Sequence, residues 1–258
     1  MLVATSDQRR LHSADEQFAA GRLQAAEKIC RELWEDNYRS PMLTALLADL
    51  LLRNRNTEAE PPLQRAISEQ GGNPRPIHAL AECHRRSDHL REAADLYRKL
   101  GRVECTNKLE RLADGGWYLL PEGAAADAPW AAHADLPLVE ARVNGVEGHF
   151  LLDTGVGETL IDPALARSGQ VATLGGEPIH FPSGPAGQVE HAVIDALTLG
   201  TLSIAQVPAQ VHATREAFAG LLPFPVDGIL GTGFGISSEM QAHPLLCRSL
   251  SAAGVERC

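Results

Sequence analysis

Aromatic side chains are scarce in this chain, where phenylalanine, tryptophan and tyrosine together make up 5% of 258 residues. The hydrophobic share is nonetheless 44%, so aliphatic and alanine side chains must supply most of the packing. A chain of this length has room for two domains of ordinary size, each with a core of its own.

Closely spaced cysteines are also absent. The five cysteines are scattered along the chain, at Cys30, Cys83, Cys105, Cys247 and Cys258. The lack of a Cys-x-x-Cys pair excludes a zinc ribbon and a dithiol redox motif, and the wide spacing fits reduced thiols. No run approaches the roughly 18 to 20 apolar residues of a membrane span, and no signal peptide is visible. We therefore expect a cytoplasmic protein without a membrane partner.

Basic residues are few in the second half of the chain. Up to Asp114 there are 18 basic and 18 acidic residues, whereas after it there are 5 and 15, and the formal net charge is −10. Phosphate binding requires clustered lysine and arginine. Nucleic acid is therefore not expected as a partner of this half.

Several motifs of hydrolases and cofactor proteins are missing. The chain contains neither Gly-x-Ser-x-Gly nor His-Glu-x-x-His, and its histidines are scattered. The segment Gly231-Thr232-Gly233 is superficially like a nucleotide loop, but no helix with a following acid comes after it. We expect no cofactor and no metal.

Residues 12–114 have a helical pattern with an internal repeat. Leu23 and Ala26 recur as Leu90 and Ala93, 67 residues later, which is close to twice 34 residues. The segment resembles a tetratricopeptide array of about three units, with a degenerate middle unit. The two alanines are predicted to be packing contacts between helices. Such a surface either binds a protein or peptide partner or only supports the rest of the chain, and the pattern leaves both open.

The composition changes after the helical segment. Residues 115–134 are rich in small residues and lack a pattern, which predicts a linker. Short β segments follow, among them Thr159-Leu160-Ile161 with a turn at Asp162-Pro163, so a second domain is predicted over residues 135–258. The expected fold class is multidomain, with helical repeats followed by an all-β domain.

One acidic residue follows a short apolar run in this second domain. The segment from Phe150 to Leu152 leads directly into Asp153-Thr154-Gly155, so a buried strand brings a carboxylate to a tight turn. Upstream, Asn144-Gly145 predicts a two-residue hairpin turn between two strands. Downstream, Ile229-Leu230-Gly231 ends a second apolar strand.

These two motifs, some seventy residues apart, resemble the retropepsin-like aspartic proteases, of which bacterial chains carry single-domain versions. The resemblance implies an acid-protease fold and an endopeptidase that needs no cofactor. It implies catalytic roles for Asp153, Thr154 and Gly155, with Ile229, Leu230 and Gly231 as structural neighbours of the site. An aspartate that merely caps a turn at a strand end is the alternative.

The resemblance also implies a homodimer. The chain contains a single Asp-Thr-Gly, and Asp162, Asp195 and Asp227 lack that context. The second catalytic aspartate would come from another copy across a two-fold axis, where Thr154 would hydrogen-bond.

A glycine-rich turn at residues 182–187, between two predicted strands, corresponds to the substrate-covering flap of that family. Its candidate substrate contacts are Ser183, Gly184 and Gly187. An ordinary surface hairpin is the alternative. Residues 235–258 depart from the family, because they show no convincing β run. A second hypothesis therefore stands beside the protease, namely an inactive protein-binding module or adaptor built on the repeats.

Overall fold

The computed structural model describes residues 5–54, 56–70, 73–121, 127–128, 130–131, 136–153, 156–180 and 186–231. The described chain forms two compact units, the first extending to Gly101 and the second beginning at Arg102. Within these residues no helix has the length and apolar character that crossing a membrane requires.

The first unit is helical. Among its described residues are the α-helices α1 (Ser6–Ala19), α2 (Leu23–Glu35), α3 (Pro41–Asn54), α4 (Glu60–Gln70), α5 (Pro74–Arg86) and α6 (Leu90–Lys99). The sequence specifies several of the helix starts directly. Thr5 and Gln8 form a reciprocal capping box at α1, and the Asn73 side chain accepts from the backbone N–H of Arg75 at the start of α5.

The helices pack as consecutive pairs with a regular spacing. α1, α3 and α5 begin at Ser6, Pro41 and Pro74, so successive pairs start 35 and then 33 residues apart. Ala26 and Ala93 are both 0% exposed, which confirms that they are packing contacts. The predicted helical character is therefore confirmed, while assignment to the tetratricopeptide class stays a prediction.

The middle pair of helices, α3 and α4, is more regular than the degenerate middle unit predicted from the sequence. Pro61 and Pro62 lie in the first turn of α4, which begins at Glu60 after a short 3-10 helix, Asn56–Ala59. A first-turn proline loses no intrahelical hydrogen bond, because the N–H groups there have no partner within the helix. The prolines therefore start this helix rather than interrupt it.

The second unit begins with a helix and continues as a sheet. In chain order its elements are α7 (Val103–Gly115), β1 (Leu138–Val143), β2 (Val146–Asp153), β3 (Thr159–Ile161), α8 (Pro163–Ser168), β4 (Thr173–His180), β5 (Ala186–Leu199), β6 (Leu202–Val211), α9 (Thr214–Ala217) and β7 (Gly228–Gly231). The predicted order of a helical part followed by a β part is thus confirmed.

The strands close into a ring. Their order is β1-β2-β7-β3-β6-β5, β1 also pairs with β5, and β4 extends the sheet on the other side of β5. The β1–β2 turn has the predicted form, since Asn144 and Gly145 both have positive φ, at 48° and 88°. A turn was predicted at Asp162-Pro163, where the structure has α8, capped by the Asp162 side chain on the backbone N–H of Ala164.

Helix α7 packs against β4, β5 and β6. Its buried face includes Cys105, Leu109 and Leu112. From the sequence this helix was predicted to belong to the repeats and to be followed directly by a linker, whereas the structure groups it with the sheet. The next residues also join the second unit, because Leu119 exchanges backbone hydrogen bonds with Ala205 of β6.

Candidate active site

Asp153 is the last residue of β2 and lies half-buried beside β7. The two strands run parallel, with Leu152 in register with Leu230 and Asp153 with Gly231. Both Ile229 and Leu230 are buried, as an apolar strand between two neighbours requires. The carboxylate is therefore carried by the end of a strand that pairs with the buried strand β7, rather than by a surface loop.

Two glycines permit this close packing. A Cβ on Gly228 would lie 2.4 Å from both the Leu160 carbonyl oxygen and the Phe150 ring. A Cβ on Gly231 would lie 2.4 Å and 2.5 Å from the carbonyl oxygens of Glu158 and Val156. Residues 156–158, here called the Asp153 loop, therefore fold back against β7. Gly231 is required because no side chain fits between this loop and the strand.

Four of the other candidate site residues lie outside the described residues, namely Thr154, Gly155, Ser183 and Gly184. Gly187 lies in β5, in register with Ile179 of β4, so it belongs to the hairpin on which the flap was predicted. The roles of all these residues stay predictions.

Two other aspartates of the second unit form a separate group around Arg215. The Arg215 Nε donates to Asp227 Oδ1 at 2.7 Å, and its backbone N–H donates to Asp162 Oδ2 at 3.0 Å. Asp227 also accepts from the backbone N–H of His149 at 2.9 Å. His149 precedes Asp153 by four residues, which is about 13 Å along a strand. These buried carboxylates therefore stabilise the opposite end of the β2–β7 pair.

Asp195 is the remaining aspartate that the sequence analysis weighed. It is exposed and pairs with Arg111 of α7, at 3.1 Å between Oδ1 and Nη2. An exposed pair of this kind contributes little stability. In the described part of the chain, Asp162, Asp195 and Asp227 thus all have partners other than Asp153.

A buried polar group lies between α7 and the sheet. We call this group the α7 cluster, and its members are Arg102, Cys105, Lys108, Glu158, Glu177 and His191. Lys108 Nζ lies 2.6 Å from Glu158 Oε2, and their side chains are 3% and 15% exposed. Arg102 donates to both carboxylate oxygens of Glu177, one of which also lies 2.7 Å from His191 Nε2.

Burial and charge set the protonation states in this cluster. Burial lowers the pKa of His191, and the positive charge of Lys108 lowers it further, so the imidazole is neutral at neutral pH. Burial alone would raise the pKa of Glu177, but hydrogen bonds from Arg102 and His191 outweigh it and lower that pKa. Burial raises the pKa of the Cys105 thiol to about 12, which leaves it protonated and unreactive.

Three of these side chains have the donor atoms of a metal site. The ligand atoms of Cys105, Glu177 and His191 lie within 4.8 Å of one another. However, a hydrogen bond joins His191 to Glu177, and the guanidinium of Arg102 already pairs with the same carboxylate. A dication would add positive charge beside Arg102 and Lys108, so the arrangement fits an ion-pair network better than a metal site.

Because the pKa values of His191 and Glu177 are lowered in the α7 cluster, we expect the folded protein to lose stability in mild acid. An unfolded chain protonates His191 near the ordinary pKa of 6.5, whereas the folded protein does so only at lower pH. The unfolded state therefore binds more protons in that window, and the free energy of unfolding decreases as the pH falls below about 6.5. Glu177 adds a second decrease below its ordinary pKa of 4.5, because its folded pKa is also lowered.

Urea denaturation of the full chain between pH 5 and 7.5 measures the decrease in the free energy of unfolding that is due to His191. A Trp34→Phe background restricts the fluorescence to the second unit, because Trp117 and Trp130, the other two of the three tryptophans, lie there. His191→Gln keeps a donor for Glu177 but cannot titrate, so we expect a smaller pH dependence in this variant. An equal dependence in both proteins would show that His191 is not its source.

The α7 cluster was not predicted from the sequence, although one signal was present. Cys105, Leu109 and Leu112 define the apolar face of α7, and Lys108 lies on the same face at helical spacing. A lysine on a buried face requires an acidic partner. The identity of that partner, Glu158, is not readable from local spacing because it lies 50 residues away.

Comparisons with known proteins concern the β part of the chain. Residues 139–234 match the aspartyl protease family, and this segment contains both Asp153 and Gly231. The match confirms the sequence resemblance for the β part of the chain. No curated protein sequence matches the chain. A crystal structure of a retropepsin-like aspartic protease from Rickettsia conorii is similar at 14% identity, covering 40% of this chain and 70% of that chain, with a TM-score of 0.27. A TM-score this low does not establish a shared fold.

Proposed function

We propose, on the premise that residues 139–234 carry an aspartyl protease domain, that this chain is an aspartic endopeptidase with Asp153 as its catalytic residue. The observation that carries the proposal is the position of Asp153 at the end of β2, in register with Gly231 of β7. Both motifs from which the resemblance was inferred are thus adjacent in space.

The chemistry requires two carboxylates that share one proton. The ionised carboxylate takes a proton from water, and the resulting hydroxide attacks the scissile carbonyl carbon. The protonated carboxylic acid donates a hydrogen bond to the carbonyl oxygen, which carries the developing charge. Transfer of a proton to the leaving nitrogen then breaks the C–N bond. Two close carboxylates hold one proton between them because charging both is costly.

We propose that the second carboxylate is Asp153 of another copy of the chain. Asp162, Asp195 and Asp227 are engaged with Arg215 or Arg111, which supports this assignment. A two-fold axis beside the end of β2 would bring two identical carboxylates together. In this arrangement Thr154 hydrogen-bonds across the axis, and Gly155 permits the close approach of the two backbones.

We further propose that the β4–β5 hairpin covers a bound peptide. The two strands pair from Thr173 with Ala192 to His180 with Ala186, so the hairpin is long enough to reach over a substrate. Ser183, Gly184 and Gly187 are its proposed substrate contacts. Backbone groups in such a hairpin can bind an extended peptide without selecting side chains.

The helical unit supplies a surface on which a protein partner or substrate could be bound. A groove of about 490 Å³ opens between α1, α3, α4 and α5. Its lining combines apolar side chains such as Met42, which is 43% exposed, with Asp15, Asp49 and Arg75. We propose that this groove recruits a protein. The buried free thiols Cys30, Cys83 and Cys105 are consistent with a reducing, cytoplasmic location.

The experiment that tests the function combines solution mass with cleavage. Light scattering of the full chain should give about twice the chain mass of 27.7 kDa. A denatured protein substrate should be cleaved between about pH 4 and 7, and cleavage per chain should rise with chain concentration until dimers are complete.

The other outcomes are equally informative. Cleavage by a single-chain species would contradict the shared pair of carboxylates. Absence of cleavage at every concentration and pH would exclude the protease and favour the inactive adaptor.

A further inference from the structure

Helix α7 precedes the segment that matches the aspartyl protease family, yet it contacts that segment through ion pairs, two of which belong to the α7 cluster. Arg102, at the start of α7, binds Glu177 of β4, and Lys108 binds Glu158 of the Asp153 loop. Both acceptors lie within residues 139–234. One helix therefore contacts both the strand that leads into the predicted flap and the loop that follows Asp153.

The Lys108–Glu158 pair is the more deeply buried of the two. The Lys108 side chain is 3% exposed and the Glu158 side chain is 15% exposed. Gln210 of β6 also approaches Glu158 Oε2, at 3.4 Å. Removing one partner of a buried ion pair leaves the other charge unpaired and is strongly destabilising. Without Lys108, Glu158 would have to turn towards water.

Movement of Glu158 would reach the candidate site through the backbone. The carbonyl oxygens of Glu158 and Val156 lie against Gly231, where neither oxygen has space to approach further. Gly231 is in register with Asp153. The ion pair thus fixes Glu158, whose carbonyl oxygen lies against the glycine that is in register with Asp153.

We propose that Lys108 is a positioning residue for Asp153, acting through Glu158 and the Asp153 loop. This inference rests on the proposed function for its catalytic consequence, but the position of the loop can be measured independently. It assigns to α7 a role in the site that the family match does not include.

Lys108→Met in the full chain tests the inference, because methionine fills similar space without the charge. We expect kcat to fall roughly 10- to 100-fold with KM nearly unchanged, since a small misplacement of a reacting group has effects of this size. Amide hydrogen exchange over residues 156–161 should become faster. Arg111→Met is the matched control on the same helix, and we expect wild-type kcat and exchange because its ion pair is exposed.

A double variant separates positioning from folding. Lys108→Met combined with Glu158→Gln removes both charges and should recover most of the stability, because no buried charge is left unpaired. The loop has still lost its attachment, so kcat should stay low and exchange fast. Recovery of wild-type kcat and exchange in the double variant would overturn the inference. If the wild-type chain does not cleave, the proposed function fails, and exchange in Lys108→Met alone decides whether the loop is held.

Discussion

Replacing Asp153 with asparagine is expected to lower cleavage of a denatured protein by about a hundredfold or more, because an amide cannot accept the proton of the attacking water. The two side chains have nearly the same shape, and Asp153 lies only half-buried at the end of β2, so the fold should be retained. Initial rates at equal chain concentration measure the effect. The matched control is Asp195→Asn, the same chemical change at an exposed position of the second unit, and its rate should equal that of the wild type.

The same variant reports whether the two carboxylates come from two chains. If wild-type chains exchange partners with a threefold excess of Asp153→Asn chains, only about one sixteenth of the dimers contain two wild-type chains. Cleavage per wild-type chain should therefore fall to about a quarter. An unchanged rate after complete exchange would show that each chain works alone, and full activity of Asp153→Asn itself would remove the aspartate from the mechanism.

Gly231→Ala is expected to destabilise the second unit by overpacking. The added Cβ would lie 2.4 Å from the Glu158 carbonyl oxygen and 2.5 Å from that of Val156, and both are backbone atoms that cannot rotate away. Overpacking of this kind costs typically about 1–3 kcal/mol, and the loop beside Asp153 must shift to relieve it. Cleavage should therefore fall together with the free energy of unfolding of the second unit.

Gly157→Ala provides the matched control in the same loop. Gly157 is exposed, and a Cβ there meets no atom within 4 Å. Its effect on unfolding should stay within about 0.5 kcal/mol, as for most surface substitutions. Urea denaturation in the Trp34→Phe background compares the two variants. Equal stabilities would mean that the close contact at Gly231 is not present in solution.

Local patterns were sufficient to predict the parts of the fold that depend on neighbouring residues. The turn at Asn144-Gly145 required two positive φ values, and both are present. Thr159–Ile161 was predicted as a strand and is β3. By contrast, α8 was missed because Asp162-Pro163 was interpreted as a turn, although aspartate followed by proline is equally a helix start.

Long-range partners account for most of what the sequence did not reveal. Periodicity identifies α7 as a helix, but its attachment to the sheet depends on pairs such as Arg102 with Glu177, 75 residues apart. The juxtaposition of Asp153 and Gly231 was likewise expected only from a family resemblance. Neither residue's local sequence shows that β2 and β7 are parallel neighbours, because pairing between distant strands is a property of the whole sheet.

The parallel pairing of β2 with β7 also determines when a newly made chain acquires the proposed site. Gly231 is synthesised 78 residues after Asp153. At about 5 to 20 residues per second, that interval lasts roughly 4 to 16 s on the ribosome. Until β7 emerges, β2 lacks its parallel partner, and the aspartate has no fixed backbone beside it. A nascent chain of this protein therefore carries Asp153 for several seconds before β7 is available to pair with β2, and the proposed cleavage activity is not expected during that time.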